Sequence, residues 1–321
     1  MEKKLYICLI LGLSIGIISC GSSSNSTSSS SSSNSTTTVS LYGNGVFIVA
    51  GISGNIVRST DNGSSFDNAT SSTSDNLYGV AYGNNVFIIA GDNGTVLQST
   101  DNGSSFKNVT SPTSNALFGV GFDNVSFVAA GFSGSLVRST DDGDTWDNLT
   151  SPTVNNLRGI LYGNSIFVAV GDNGTIVSSV DSSSFDNVTS PTTNNLYGVG
   201  FGNDSFVAVG DNGTIILSSD NGSSFDNVTS PTTNNLYGVG FGNDAFVAVG
   251  DNGTIILSSD NGTTWDNVTS PTSNYLIGIG FGYDTFVAAG TLGNILTSTD
   301  NGSSWDNSTS PTANQLRGVG F

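Results

Sequence analysis

With 321 residues, 42 glycines and no histidine, the chain is long enough for two domains or for one large repetitive one around a sizeable core. Its 25 acids against 7 bases leave a formal charge of −18, and every acid except Glu2 is an aspartate. Such a balance argues against a nucleic-acid partner, since no basic patch exists to displace counterions from phosphate. The absence of histidine removes the commonest general base and the commonest metal ligand.

In chain order, Met1-Glu2-Lys3-Lys4 is a short basic segment and Leu5 to Ile18 an apolar run of the length of a signal-peptide core. That run is too short to span a bilayer comfortably as a helix. It ends in Ile17-Ile18-Ser19-Cys20-Gly21, which resembles the lipobox of bacterial lipoproteins. The resemblance implies that residues 1–19 are removed and that Cys20 carries lipid, anchoring the protein in the bacterial cell envelope. Gly21 after the cysteine favours the outer membrane or cell surface, by the sorting pattern of enteric lipoproteins. Cys8 would leave with the signal peptide, so no disulfide could form within the mature chain, whose charge would be −19. Residues 20–41 read as the lipidated cysteine and a tether. From 21 to 38 they are almost wholly Ser, Thr and Asn, too poor in apolar area to offset ordering entropy. At about 5–6 Å × √n such a tether spans roughly 25 Å.

Residues 42–321 are one motif written seven times. Phe47, Phe87, Phe127, Phe167, Phe206, Phe246 and Phe286 recur at intervals of 40, 40, 40, 39, 40 and 40 residues. The unit Leu196–Asn235 differs from Leu236–Tyr275 at six of forty positions. A fixed period of this size means a propeller or a solenoid, and the glycines in every unit leave no helical apolar stripe. Each unit offers four strand candidates, here Leu196–Phe201, Ser205–Val209, Thr214–Ser218 and Ser224–Val228, separated by Asn-Asp and Asn-Gly turns. The expected fold is therefore all-β: a seven-bladed propeller of four-stranded antiparallel blades. The first unit has a poor first strand, whereas the chain ends on a good one, Leu316–Phe321. The C-terminal strand should close the first blade, against the segment near Val46–Ala50, and leave no open edge between blades.

The segment Ser59-Thr60-Asp61-Asn62-Gly63-Ser64-Ser65-Phe66 recurs at Asp101, Asp141, Asp220, Asp260 and Asp300, and in shortened form at Asp181 without the glycine. It resembles the Asp-box, or BNR repeat, of sialidases and related propellers. Its expected role is structural: aspartate accepts from turn amides, glycine supplies positive φ, and the aromatic ring seals the hairpin. Kinship with sialidases would imply three converging arginines, a Tyr–Glu nucleophile pair and an acidic proton donor. The mature chain has no glutamate, and its arginines are Arg58, Arg138, Arg158 and Arg317. The units have also hardly diverged, whereas an active site needs different groups from different blades. An extracellular glycoside hydrolase of the sialidase fold is accordingly the disfavoured alternative.

Val-Gly-Asp-Asn-Gly-Thr-Ile, at Val170–Ile176 and Val209–Ile215, followed by Ser-Ser-Asp or a close variant, is similar to the repeats of photosystem II stability/assembly factors. That resemblance implies a seven-bladed, non-enzymatic binding propeller, some of whose members are lipoproteins. Asp92, Asp172, Asp211 and Asp251, in the Asp-Asn-Gly-Thr turns, are expected to be solvated. One aspartate per turn falls short of the six to eight oxygens calcium wants, so neither metal nor cofactor is expected.

The fourth-to-first-strand loops hold all six prolines, and just after each loop one position varies: Tyr78, Phe118, Arg158, Tyr197, Tyr237, Ile277, Arg317. Aromatics and arginines near a channel mouth have the composition of an interaction surface; the alternative is packing between blades. The expected whole is a non-enzymatic, surface-anchored, monomeric lipoprotein that binds a protein or polysaccharide partner there.

Overall fold

The computed structural model describes residues 45–321; the signal peptide, Cys20 and the tether lie outside the described residues. Residues 45–321 form seven four-stranded antiparallel sheets in a ring, and each sheet is one blade of a β-propeller. The fifth blade shows the pattern, with strands Leu196–Gly202, Ser205–Gly210, Ile215–Ser218 and Asp226–Val228 running from the axis outward. The third strand starts one residue later than its expected Thr214, because the Thr214 N–H donates to the Asp211 carbonyl at 3.0 Å. Asn212 and Gly213 between them both have positive φ, as a tight mirror-image hairpin turn requires. The fourth strand loses Ser224 and Phe225, since both the amide and the hydroxyl of Ser224 are taken by Asp220.

Blade 1 is closed by the C-terminus. Leu316–Gly320 pairs antiparallel with Phe47–Gly51, with Ile48 opposite Gly320, Val49 opposite Val319 and Ala50 opposite Gly318. Every blade thereby has its innermost strand, and the first and last parts of the sequence share one sheet.

The second strands are buried along their whole length rather than on alternate residues. Both of their faces are covered by neighbouring blades, so a continuous apolar run is what they need. The core accordingly lies between blades. Val207, Val209 and Ile215 of blade 5 pack with Leu236, Val239, Phe246 and Trp265 of blade 6. Phe47, Val49, Val57 and Phe66 of blade 1 meet Val287, Ala289 and Ile295 of blade 7, which seals the ring. Around the axis the innermost strands touch one another. A Cβ on Gly79 would stand 2.8 Å from the Gly119 Cα of the next blade, and one on Gly198 would stand 2.8 Å from the Tyr237 carbonyl oxygen. Only glycine allows so close an approach of two backbones.

Candidate binding face

Antiparallel order places the fourth-to-first loops and the second-to-third turns at one end of the ring, and the Ser-x-Asp-x-Gly turns at the other. At the loop end every innermost strand carries the same irregularity. Leu196 lies opposite Gly210 and Gly198 opposite Val209, so Tyr197 is the extra residue of a β-bulge. The same break isolates Tyr78, Phe118, Arg158, Tyr237, Ile277 and Arg317. A bulge re-aims the side chain of its unpaired residue, and all seven are partly buried, none wholly.

Their side chains meet around the axis. The Arg317 guanidinium lies 5.1 Å from the centroid of Tyr78, the Tyr78 and Phe118 rings meet edge to face at 5.3 Å, and Arg158 covers Phe118 at 5.0 Å. Farther round, the Tyr197 and Tyr237 rings lie 5.4 Å apart. Cation–ring and ring–ring pairs of this kind hold flat side chains in a set orientation.

Asp92, Asp172, Asp211 and Asp251 differ from the solvated aspartates expected from the sequence. The hydroxyls of Tyr78, Tyr197 and Tyr237 donate to Asp92, Asp211 and Asp251, each at 2.7 Å. Arg158 donates to both oxygens of Asp172, at 2.8 and 3.1 Å. The bulge brings the rim side chain over the turn of its own blade, which is why these carboxylates are engaged. A third residue completes the arrangement: Asn76, Asn156 and Asn195 donate to Asp92, Asp172 and Asp211 at 2.7–2.9 Å. The side-chain Oδ1 atoms of Asn76, Asn156, Asn195 and Asn235 accept from the turn amide of the preceding blade, at 2.8–3.0 Å, and so clasp the two blades together. Burial, then the bond to the carboxylate and its negative charge, push the phenols of Tyr78 and Tyr197 up to about 12, and that of Tyr237 higher still.

Sequence reasoning picked out the rim position but missed its two partners. The signal was present. Asn, Tyr or Arg, and Asp stand together in blades 2, 4, 5 and 6. All three change in blades 3 (Ala116, Phe118, Phe132) and 7 (Tyr275, Ile277, Thr291), and blade 1 keeps only the arginine (Gln315, Arg317, Ile52).

The opposite end is uniform. In blade 5 the Ser218 hydroxyl donates to Asp220 and accepts from the Gly222 amide, while Ser224 gives its amide and hydroxyl to the same carboxylate at 2.9 and 2.6 Å. These bonds hold the Asp220 carboxyl down at about 2. Asp61, Asp101, Asp141, Asp260 and Asp300 accept equivalent bonds and are lowered likewise. Asp181 keeps such bonds in its shortened turn, from the amides of Ser183 and Ser184. Trp146, Trp265 and Trp305 donate to the carbonyl of the turn glycine in their own repeat and lie buried against the preceding blade. Among the described residues, no three His, Cys, Asp or Glu side chains gather as a metal-ligand set.

No protein family matches the sequence, and no curated protein matches it. Solved structures do. YCF48 bound to a D1 peptide is similar at 18% identity and a TM-score of 0.60, over 73% of this chain and 80% of that one. YCF48 from Cyanidioschyzon merolae is similar at 15% and 0.59, over 74% and 87%. A chain of the nidogen/laminin complex is similar at 12% and 0.56, over 86% and 97%. At these identities the likeness is one of fold.

Proposed function

We propose that the protein is a non-enzymatic binding propeller, tethered to the bacterial cell envelope by a lipid on Cys20, which receives a protein or polysaccharide partner at its loop end. The observation that carries this reading is the ring of bulged side chains: aromatic or cationic in six of seven blades, partly exposed, and held by a turn aspartate in four. Preorganised flat side chains at the mouth of a rigid ring lose little entropy on binding. The similarity to a YCF48 propeller bound to a D1 peptide supports a protein partner in particular. The lipobox-like segment before Cys20 supports the anchor.

Two experiments test the reading. Replacing Tyr197, Tyr237 and Arg158 by alanine together should abolish partner capture from envelope extracts while the melting curve keeps one cooperative transition. Capture retained per folded molecule would show that these residues only pack between blades. Cys20→Ser should move the full chain from the membrane to the soluble fraction, and unchanged membrane association would end the anchoring proposal.

A further inference from the structure

Arg158 and Arg317 occupy the same bulge in different blades, yet their surroundings are opposite. Arg158 is neutralised by both oxygens of Asp172. In blade 1 the residue at the aspartate position is Ile52, and among the described residues Arg317 forms no ion pair. Its Nε is enclosed and finds no hydrogen-bond partner. An enclosed guanidinium nitrogen without an acceptor is costly, and a carboxylate is the group that fits its fork.

The neighbourhood has changed in the same sense. Blade 7, next to blade 1 in the ring, has Thr291 at the aspartate position, followed by Leu292, which is 71% exposed. The loop leading into blade 7 ends in Tyr275, 47% exposed, whose carbonyl accepts from the Thr291 amide at 2.9 Å. The turn at Gly293 lies against Thr312 and Ala313, in the loop that leads to Arg317. The loops leading into these two blades and their second-to-third turns hold no acid, whereas turn carboxylates mark blades 2, 4, 5 and 6. The nearest loop carboxylate, Asp75 in the loop leaving blade 1, is engaged by Asn93 and Thr95 of blade 2. The asparagine clasp is missing at both positions too, replaced by Tyr275 and Gln315.

We infer that the loop end of blades 7 and 1 is a docking sector for a peptide segment of a protein partner that presents a carboxylate beside an apolar side chain. Arg317 takes the carboxylate, and Leu292, Tyr275 and Ile52 receive the apolar group. On a chain of net charge −18, loops and turns without acids lower the repulsion that an anionic segment meets. The chain's own N-terminal stretch does not supply the occupant, since residues 1–44 contain no acid after Glu2. The inference rests on the loop end being the binding face and specifies its sector and chemistry.

The test is selection of a random dodecapeptide phage library on the full chain, followed by affinity measurements on the enriched peptides. The key variant is Ile52→Asp, which recreates in blade 1 the pair that Arg158 and Asp172 make in blade 4 and so leaves the fold at least as stable. Enrichment of Asp or Glu next to Leu, Ile or Phe is expected, with at least tenfold weaker binding to Ile52→Asp and to Arg317→Gln, and similar loss when the peptide acid becomes its amide. Peptides that bind both variants as well as the parent, but fail on the Tyr197, Tyr237 and Arg158 triple variant, would overturn the sector while keeping the face. Failure to enrich any peptide would overturn the peptide-docking sector, while the loop end as binding face stands or falls separately on the capture experiment with the Tyr197, Tyr237 and Arg158 triple variant. Binding of oligogalacturonides in place of peptides, lost in Ile52→Asp, would keep the carboxylate on Arg317 and overturn the peptide.

Discussion

The two ends of the ring use their aspartates in contrasting ways. At the Ser-x-Asp end, each carboxylate binds the amides and hydroxyls of its own turn, and the arrangement repeats with little change around the ring. At the loop end, the turn aspartates reach a side chain on the innermost strand, and three of the seven blades have abandoned the arrangement. The uniform end does the same mechanical task in every blade: it stops a hairpin and seats an aromatic ring against the preceding blade. The varied end has drifted where a turn need not be identical, and its differences fall on side chains that solvent or a partner meets. Repetition marks the scaffold, and departure from it marks the surface on which blades can acquire separate tasks.

The comparison can be broken most severely by opening the ring. Deleting residues 316–321 removes the innermost strand of blade 1, leaves two unpaired edges and exposes the cluster around Leu316. A loss of several kcal/mol follows from Leu316 and the ladder bonds alone. At about 2–4 °C per kcal/mol, the melting midpoint should fall by roughly 10 °C or more. A truncated chain that melts with the parent in a calorimetric scan would disprove closure.

A smaller effect separates the two kinds of aspartate. Asp260→Ala removes the acceptor of the Thr264 amide and hydroxyl and of the Ser258 hydroxyl. By analogy with a lost capping residue it should cost about 1–2 kcal/mol. Asp211→Ala should cost less than that, yet weaken partner binding, because it frees Tyr197 to move. The acid limb of a stability curve sharpens the same point. The Ser-x-Asp carboxyls lie below their unfolded value of 3.8 in the native ring. Their contribution is therefore present above about pH 4 and fades as pH falls toward 2, with the unfolded state taking up the protons. Chemical unfolding at pH 5, 4 and 3 should show this slope, and Asp260→Ala should flatten it slightly.

The smallest effect lies on the alkaline side. Tyr78 and Tyr197 are raised to about 12, so the unfolded chain loses these protons first and the stability they confer fades as pH rises from 10 through 12. Ultraviolet titration at 295 nm should show Tyr78, Tyr197 and Tyr237 ionising above the ordinary phenol range. Tyr197→Phe should remove one late-titrating phenol and change the midpoint by under about 1 kcal/mol. Ionisation of these three phenols near pH 10 would mean that the turn aspartates do not hold them.

Period, strand number and closure were legible in the sequence because they follow from local rules. An Asn-Gly turn every few residues sets the hairpins, a fully apolar run marks a strand covered on both faces, and a strand missing at the front reappears at the end. The varied position after each loop was legible as well, since seven near-copies expose a column that differs. What that column does was decided only in three dimensions. A bulge at Tyr197 is invisible in a run that reads as an unbroken strand, because the extra residue is defined by its register against Val209 and Gly210. The engagement of Asp92, Asp172, Asp211 and Asp251 likewise depends on a side chain 14 residues earlier being swung over the turn. The missing partner of Arg317 depends on the last strand of the chain joining its first blade, beside Ile52, some 265 residues away. Hydrophobic patterning is a property of neighbours in sequence and survives reading one residue at a time. Charge pairing is a property of neighbours in space, and only the closed ring determines who those neighbours are.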